Sequence, residues 1–200
     1  ISGHTLITTP NPLDTKTTST AIEEESATLF LATPTFLRAY VKKTEASALR
    51  SLRAVIAGAE RLPESLRAAW ETKFDSEILL GYGMTEASPV ISLNVSDPDF
   101  REGKIDAWRK GKRVQSSGRL LPGIRARLVD PESGEIQYGC GRGILEIQGA
   151  NISPGYLHNE IANKERFREA WLHTGDIVRI DEDGFLFIEG RISRFAKIGG

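Results

Sequence analysis

The segment Glu77–Pro89 constrains the fold of this chain most, because a buried strand there leads directly into a chemically rich turn. The apolar run Ile78–Leu80 is followed within a few residues by two glycines, an aromatic ring, a hydroxyl and a carboxylate. Glycines allow close approach of the backbone to a ligand, and Tyr82, Thr85 and Glu86 offer groups that contact a base, phosphate oxygens and Mg²⁺. We therefore expect a ligand-binding turn at the end of a strand.

Strands and helices alternate through the N-terminal half of the chain. Short apolar runs predict strands, and apolar residues recurring every three or four positions predict helices. Thr33-Pro34 is typical of a helix N-cap followed by the first helical residue. The predicted elements are strand Thr5–Thr8, helix Thr15–Glu25, strand Thr28–Leu31, a helix from Pro34, strand Arg53–Ala57, a helix from Pro63 and strand Glu77–Leu80. This alternation predicts an α/β fold with parallel βα layers, in which ligands bind beyond the carboxyl ends of strands.

Short strands and turns replace this alternation after a polar connection over Asp97–Ser117. The predicted elements are strands Ala126–Val129, Gly143–Gln148, Ile177–Ile180 and Phe185–Glu189, with a helix over Asn159–Phe167. The sequence Asp181–Gly184 is typical of a hairpin turn. We therefore predict part of an αβ subdomain over residues 1–115 and a β-rich subdomain, a distorted barrel, over residues 116–190.

Composition narrows the class of protein. The net charge is −1 and no Lys/Arg run exceeds two residues, which argues against a nucleic-acid surface. The single cysteine, Cys140, excludes an internal disulfide and fits a reducing compartment. No stretch reaches the roughly 18 apolar residues of a membrane-spanning helix, so we expect a cytoplasmic segment. Since the chain opens at Ile1 and its only methionine is Met84, we also expect it to be a piece of a longer polypeptide.

Three motifs in order carry a family resemblance. Leu80–Pro89 resembles the Tyr-Gly-x-Thr-Glu signature of the adenylate-forming (AMP-binding) enzymes, which include acyl-CoA synthetases, luciferases and peptide-synthetase adenylation domains. Trp171–Asp176 is similar to the Trp-x-x-Thr-Gly-Asp block of that family, and Gly190-Arg191 follows at the family spacing. The chain is thus identified as a member, an internal fragment of the large N-terminal domain of such an enzyme.

The resemblance implies a nucleotide site for ATP and Mg²⁺. Thr85 and Glu86 take the catalytic positions, with Thr85 on the α-phosphate and Glu86 holding the metal. The carboxylate of Asp176 can accept hydrogen bonds from both ribose hydroxyls. The implied nucleotide-binding residues are Gly58, Ala59, Glu60, Tyr82, Gly83, Met84, Thr85, Asp176 and Arg191. Taken alone, Tyr82 would be predicted as a half-buried aromatic and Gly58–Glu60 as a small-residue turn.

Four further positions have weaker counterparts. Thr33 and Phe36 match the segment that lines the acyl pocket in relatives, although a helical phenylalanine is more often core. Lys197 matches a position near the adenylate or the incoming thiol, and could equally be solvated. Ser193 stands at the hinge position, where relatives carry Asp or Lys, within a segment 191–200 that begins the hinge to a C-terminal lid.

Two other features, a glycine-containing block and a histidine, receive a structural interpretation. Gly149–Leu157 matches the Gly-Pro-x-x-x-x-Gly-Tyr block, with Ala150 in place of proline, and we assign no catalysis to it. His173 has no partner within its own motif, so we interpret it as a partly buried structural histidine.

Within the family, the stretches Val55–Leu62, Gly118–Gly123 and Arg194–Ile198 are similar to acyl-carrier-protein synthetases fused to a 2-acylglycerophosphoethanolamine acyltransferase. This resemblance implies a fatty acid substrate, an acyl carrier protein acceptor and a role in lysophospholipid reacylation. The whole protein would then meet the inner face of the cell membrane through its acyltransferase part. The alternatives are a fatty acyl-CoA ligase with CoA as acceptor, and a nucleotide-binding module without chemistry.

The resemblance also implies a phosphate-binding loop before Ile1 and a lysine-bearing lid after Gly200. We therefore expect residues 1–200 alone to fold, to bind ATP weakly and to lack adenylation activity.

Overall fold

The computed structural model of the chain describes residues 3–97 and 110–192, and its contacts divide the chain into one unit ending at Leu80 and another beginning at Gly81. Two sets of residues from the sequence analysis lie outside the described ranges. They are Lys104 and Arg109 of the polar connection, and Ser193, Lys197 and the stretch Arg194–Ile198 near the C-terminal end. The subdomain boundaries predicted from the sequence stay a prediction.

The first unit confirms the predicted βα alternation. Its elements are α1 (Thr15–Glu24), β1 (Leu29–Ala32), α2 (Pro34–Lys43), a 3-10 turn (Ala46–Leu49), β2 (Ala54–Ala57), α3 (Glu64–Phe74) and β3 (Glu77–Gly83). Strand β1 pairs parallel with β2, and β2 pairs parallel with the first residues of β3. Helices α2 and α3 each bury an apolar face, whereas α1 buries Ile22 beside threonine and serine side chains. Leu37, Tyr40 and Trp70 are fully buried in the resulting core.

The start of α2 agrees with the prediction, since Thr33 is the N-cap residue and Pro34 the first helical residue, but the capping hydrogen bond comes from another side chain. Thr33 makes no side-chain cap bond, and its hydroxyl is buried with no partner in the part of the chain that the structure describes. Glu60, from the turn after β2, takes that role, since its Oε2 accepts from Thr35 N at 3.1 Å and from Thr35 Oγ1 at 2.7 Å. A carboxylate here satisfies a free helix amide and suits the positive end of the helix dipole.

The predicted strand over Thr5–Thr8 is wrong. These residues belong to no strand, and Leu6 is 82% exposed. Apolar and β-branched residues make a strand only where a neighbouring strand accepts their backbone hydrogen bonds. No strand of the described residues pairs with this segment.

The second unit is β-rich. The end of β3 pairs antiparallel with β4 (Val90–Leu93), which pairs with β5 (Arg119–Leu120). The remaining elements are β6 (Arg125–Val129), β7 (Ile136–Gln137), β8 (Gly141–Gln148), α4 (Glu160–Arg166), β9 (Phe167–Arg168), β10 (Trp171–Ile180) and β11 (Leu186–Arg191). Their strands form a further antiparallel sheet with the order β11-β10-β8-β6-β7, and β9 also pairs with β10. Leu145, Ile147 and Leu172 are fully buried in its core.

The predicted distorted barrel is wrong in its closure. Within residues 110–192 the antiparallel sheet has β7 at one edge and β11 at the other, and no pairing joins β7 to β11. The start of β11 is instead hydrogen-bonded to residues 117–119. Strand β7 has two exposed residues, and Ile136 is 43% exposed, so this edge is too short to bring the sheet round on itself.

Helix α3, at 11 residues, is the longest helix in the ranges 3–97 and 110–192. No helix within those ranges has both the length and the apolar character that crossing a bilayer requires.

Candidate nucleotide site

The turn after β3 folds back on itself by a close backbone contact. Met84 N donates to Pro89 O at 2.8 Å, and Thr85–Ala87 forms a single 3-10 turn. A Cβ at Gly83 would lie 2.0 Å from Pro89 O, so glycine alone fits there. The glycine that the motif requires is thus explained by packing inside the turn.

Tyr82, Asp176 and Arg191 come together, although 94 residues separate the first two. The Tyr82 hydroxyl donates to Asp176 Oδ2 at 2.5 Å. Arg191 Nε lies 2.9 Å from Asp176 Oδ1, because Asp176 on β10 and Arg191 on β11 are register partners. Three residues that the sequence analysis placed in the nucleotide site therefore form one hydrogen-bonded cluster.

The cluster is charge-balanced, and its tyrosine and aspartate are shielded from water, whereas the Arg191 side chain is 49% exposed. Asp176 is 5% exposed and Tyr82 is 9% exposed. Burial, together with the neighbouring Asp176 carboxylate, raises the pKa of Tyr82 far above its usual value. Tyr82 therefore remains a protonated hydrogen-bond donor at any physiological pH.

The Thr-Gly-Asp motif fixes Asp176 through its backbone. Thr174 Oγ1 donates to Leu145 O at 2.8 Å and accepts from Asp176 N at 3.1 Å. Gly175 has a φ of +76°, a conformation that favours glycine. The threonine and the glycine thus set the direction in which the aspartate leaves β10.

Glu86 is also tied to residues distant in sequence. Its Oε1 accepts from the hydroxyl of Tyr156 and lies 3.7 Å from Arg166 Nη2. Burial acts to raise the pKa of Glu86, but the Tyr156 hydrogen bond and the charges of Arg166 and Arg191 outweigh it, and the pKa is lowered. Glu86 is therefore ionised at neutral pH.

The Gly149–Leu157 block holds this turn, which the sequence analysis did not anticipate. Ser153 N donates to Glu86 O at 2.7 Å, and Asn151 Nδ2 donates to Ala87 O at 2.6 Å. The block was assigned a structural role alone, and Arg166 was not singled out. The sequence shows Tyr156 after Gly155 as part of the block, but nothing in the sequence indicates that Glu86 is its partner.

Among the described residues, no group of three or more His, Cys, Asp or Glu side chains could hold a metal ion. Glu86 stands as a single carboxylate beside the turn. Mg²⁺ usually binds through one or two carboxylates together with substrate phosphates and water. The residues present therefore fit Mg²⁺ that arrives with a nucleotide, and do not form a metal cage of their own.

The first unit carries the remaining predicted residues that lie in the described ranges. Ala59 has a φ of +68°, so the Gly58–Glu60 turn contains a strained backbone position. The Glu60 carboxylate is occupied at the start of α2, which leaves the backbone as the part of this turn available to a base. Phe36 is half-buried on α2. The roles of Gly58–Glu60, Thr33 and Phe36 toward ligands stay predictions.

His173 has a partner outside its motif. Its Nδ1 lies 3.1 Å from Glu146 Oε1, and Glu146, which is 4% exposed, also accepts from Arg127 Nε at 2.7 Å. These contacts join β6, β8 and β10 and support the structural interpretation of His173.

Comparison with known proteins shows the class to which this fold and cluster belong. The profile of the AMP-binding enzyme family matches residues 1–157. The chain therefore belongs to the AMP-binding, adenylate-forming enzyme family.

Curated relatives of the chain are CoA ligases. It is 35% identical over 184 residues to 4-coumarate–CoA ligase-like 6 of Arabidopsis thaliana, covering 90% of this chain and 31% of that protein. It is 34% identical over 131 residues to a long-chain-fatty-acid–CoA ligase of Salmonella typhimurium, covering 66% of this chain and 21% of that protein. The chain thus spans about a third or less of the length of these relatives. The predicted closeness to acyl-carrier-protein synthetases is not shown by them.

A solved structure confirms the fold. The anthranilate CoA ligase AuaEII in complex with anthranoyl-AMP aligns with a TM-score of 0.74 at 27% identity, over 92% of this chain and 33% of that chain. The α/β class, predicted as a fragment of the large domain of an adenylate-forming enzyme, is therefore correct.

Proposed function

We propose that the protein containing this chain activates a fatty acid with ATP. The carboxylate of the acid attacks the α-phosphorus, pyrophosphate leaves, and the resulting acyl adenylate passes its acyl group to a thiol. The cluster of Tyr82, Asp176 and Arg191 carries this proposal, because a buried carboxylate beside an arginine suits a ribose diol next to a phosphate.

Asp176 retains the capacity to bind a diol. An ionised carboxylate has about four lone-pair sites, and Tyr82 and Arg191 use one on each oxygen. The sites that remain can accept from the two ribose hydroxyls. The hydrogen bond also fixes the Tyr82 ring, which we assign to stacking on adenine.

Positioning and charge neutralisation supply the catalysis. We assign Thr85 to the α-phosphate and Glu86 to holding Mg²⁺ against the phosphate oxygens. Mg²⁺, when bound, would neutralise charge that develops on those oxygens. Arg191 would bridge ribose and phosphate oxygens with its guanidinium.

The thiol acceptor has two candidates. The Arabidopsis and Salmonella relatives are CoA ligases by name and support CoA. Val55–Leu62 and Gly118–Gly123 are the sequence features that favour an acyl carrier protein and lysophospholipid reacylation at the membrane. Thioester formation with CoA and with holo-carrier protein, offered separately to the complete protein, distinguishes them, and a strong preference decides the acceptor.

Exchange of labelled pyrophosphate into ATP tests the activation step. We expect the complete protein to catalyse this exchange when a fatty acid is present and not when it is withheld. Binding of AMP without any exchange, across acids of different chain length, would contradict the proposal and favour a nucleotide-binding module.

A further inference from the structure

Two residues outside the nucleotide motifs converge on one oxygen of Glu86. The Tyr156 hydroxyl and the Arg166 guanidinium both approach Oε1, and neither of these contacts is made to Oε2. Glu86 is 17% exposed at its side chain, so a carboxylate in this position needs partners for its charge.

Tyr156 is held firmly enough to act as a fixed donor. Asn163 on α4 accepts from Tyr156 N at 2.6 Å and donates to Tyr156 O at 2.9 Å. The Tyr156 ring packs edge-on against Phe167, with 5.7 Å between ring centroids. A Cβ at Gly155 would lie 2.8 Å from Asn163 Oδ1, so the glycine before the tyrosine makes this anchoring possible.

Arg166 connects Glu86 to the ribose-binding strand. Its Nη1 donates to Thr174 O at 3.2 Å, while Nη2 lies 3.7 Å from Glu86 Oε1. A Cβ at Gly175 would lie 3.3 Å from Nη1, so the glycine of the Thr-Gly-Asp motif leaves room for the guanidinium. A planar guanidinium can bridge two acceptors in this way, whereas an ammonium is a single point of charge.

We propose that Tyr156 and Arg166 are positioning residues that fix Glu86 through Oε1, leave Oε2 for the cation that accompanies the nucleotide, and couple that carboxylate to the Asp176 strand through Arg166. The inference rests on the proposed function for the identity of the ligand. It deepens that function by assigning specific residues to the metal-dependent part of nucleotide binding.

The two side chains have different expected effects on binding. Tyr156→Phe keeps the ring and removes the hydroxyl, so Mg²⁺-dependent binding alone should weaken. We expect Mg-ATP affinity to fall about tenfold, as for a hydrogen bond to a charged group, with AMP affinity in EDTA unchanged. Arg166→Gln should weaken both, because it also releases Thr174. Arg166→Lys should keep part of the attraction to Glu86, but its single ammonium group should not also hold Thr174 O.

The experiment is titration calorimetry on the complete protein with Mg-ATP and, separately, with AMP in EDTA. Tyr138→Phe, at a tyrosine that is 67% exposed, and Arg168→Gln, at an exposed arginine, are the matched controls and should change neither affinity. Pyrophosphate exchange under saturating fatty acid adds a second readout, in which the KM for Mg-ATP should rise more than kcat falls in Tyr156→Phe.

The outcomes separate this inference from the proposed function. Equal losses of Mg-ATP and AMP affinity in Tyr156→Phe, or no loss of either, would contradict the positioning role even if the wild type exchanges pyrophosphate. Loss of Mg-ATP affinity alone in Tyr156→Phe, combined with no fatty-acid-dependent exchange by the wild type, would contradict the proposed function alone. Wild-type protein that binds neither ligand would contradict both.

Discussion

Asp176 is the residue at which the contacts of the candidate nucleotide site meet. It is 5% exposed, and its two oxygens bind the Tyr82 hydroxyl and the Arg191 guanidinium. Removal of this carboxylate leaves a buried hydroxyl and a charged group without their partner, which costs more than the loss of one contact. Its substitutions therefore affect both ligand binding and the unliganded fold.

Asp176→Ala should weaken nucleotide binding by the complete protein by roughly 2–4 kcal/mol, the usual contribution of two hydrogen bonds to a charged group. Asp176→Asn should retain part of the affinity, because an amide oxygen still accepts. Calorimetric titration with AMP measures both variants, with Asp130→Asn in an exposed turn as the control. If the wild type used 2′-deoxy-ATP as well as ATP, the assignment of Asp176 to the ribose diol would be wrong.

Gly83→Ala should destabilise the second unit by about 3 kcal/mol or more, the upper end for overpacking, because its Cβ would meet the rigid Pro89 carbonyl at 2.0 Å. The control is Gly134→Ala, where a Cβ has no neighbour within 4 Å and only the φ of +74° opposes it. That control should cost about 1–2 kcal/mol. Urea unfolding gives both values, and equal costs would contradict the packing explanation for Gly83.

At the scale of elements, the hairpin between β10 and β11 is held by a basic clamp. The Arg113 guanidinium binds Asp181 and, at 2.6 Å, Asp183 of the hairpin turn. The guanidinium carbons of Arg113 and Arg119 lie 4.8 and 4.1 Å from the centroid of the Phe185 ring. This clamp stabilises the turn that precedes β11, and hence the strand that carries Arg191.

Arg113→Ala should lower the free energy of unfolding by about 1–2 kcal/mol, a value reduced because the side chain is 34% exposed. The matched control is Arg142→Ala, which breaks an ion pair to Glu189 with the arginine 60% exposed and should cost under about 0.5 kcal/mol. Thermal unfolding of both variants checks this. A loss no greater than that of the control would mean that the clamp does not stabilise the hairpin.

Local signals were enough to predict two helices correctly. The predicted helices over 15–25 and 159–167 are observed as Thr15–Glu24 and Glu160–Arg166, and each begins after a side-chain N-cap, Asp14 or Asn159, that lies next to it in the sequence. The predicted strand Thr5–Thr8 was wrong, and the distorted barrel was wrong in its closure, because strand pairing depends on partners elsewhere in the chain.

The candidate site shows the same division. Ordered motifs singled out Tyr82, Asp176 and Arg191, because each lies in a segment with its own signature, and the three side chains are in contact. Their role toward a nucleotide stays a prediction. Tyr156 and Arg166 could not be assigned, because their common partner, Glu86, lies 70 and more positions away. The contact of Glu60 with the start of α2 was missed for the same reason, because Glu60 lies 25 positions from Thr35.

At the scale of the whole molecule, the chain covers 31% of its Arabidopsis relative, and one sheet edge presents apolar side chains. Leu29 and Leu31 on β1 are 56% and 67% exposed. These exposed leucines are candidates for an apolar surface that another polypeptide segment covers.

Residues 1–200 alone should bind ATP weakly and show no turnover, because the resemblance assigns most phosphate contacts to a loop before Ile1 and the charge-stabilising lysine to a lid after Gly200. Calorimetry of residues 1–200 with ATP and Mg²⁺ tests this expectation. Sub-micromolar affinity, or any adenylation, would show that these contacts are not needed.

The most direct test of the account is fatty-acid-dependent exchange of labelled pyrophosphate into ATP by the complete protein with Glu86→Ala, with the exposed Glu135→Ala as its control. We expect the rate of pyrophosphate exchange to fall by about 100-fold or more in Glu86→Ala, as for loss of a group that stabilises transition-state charge. The rate should be unchanged in the control. Robust exchange in Glu86→Ala would contradict the account.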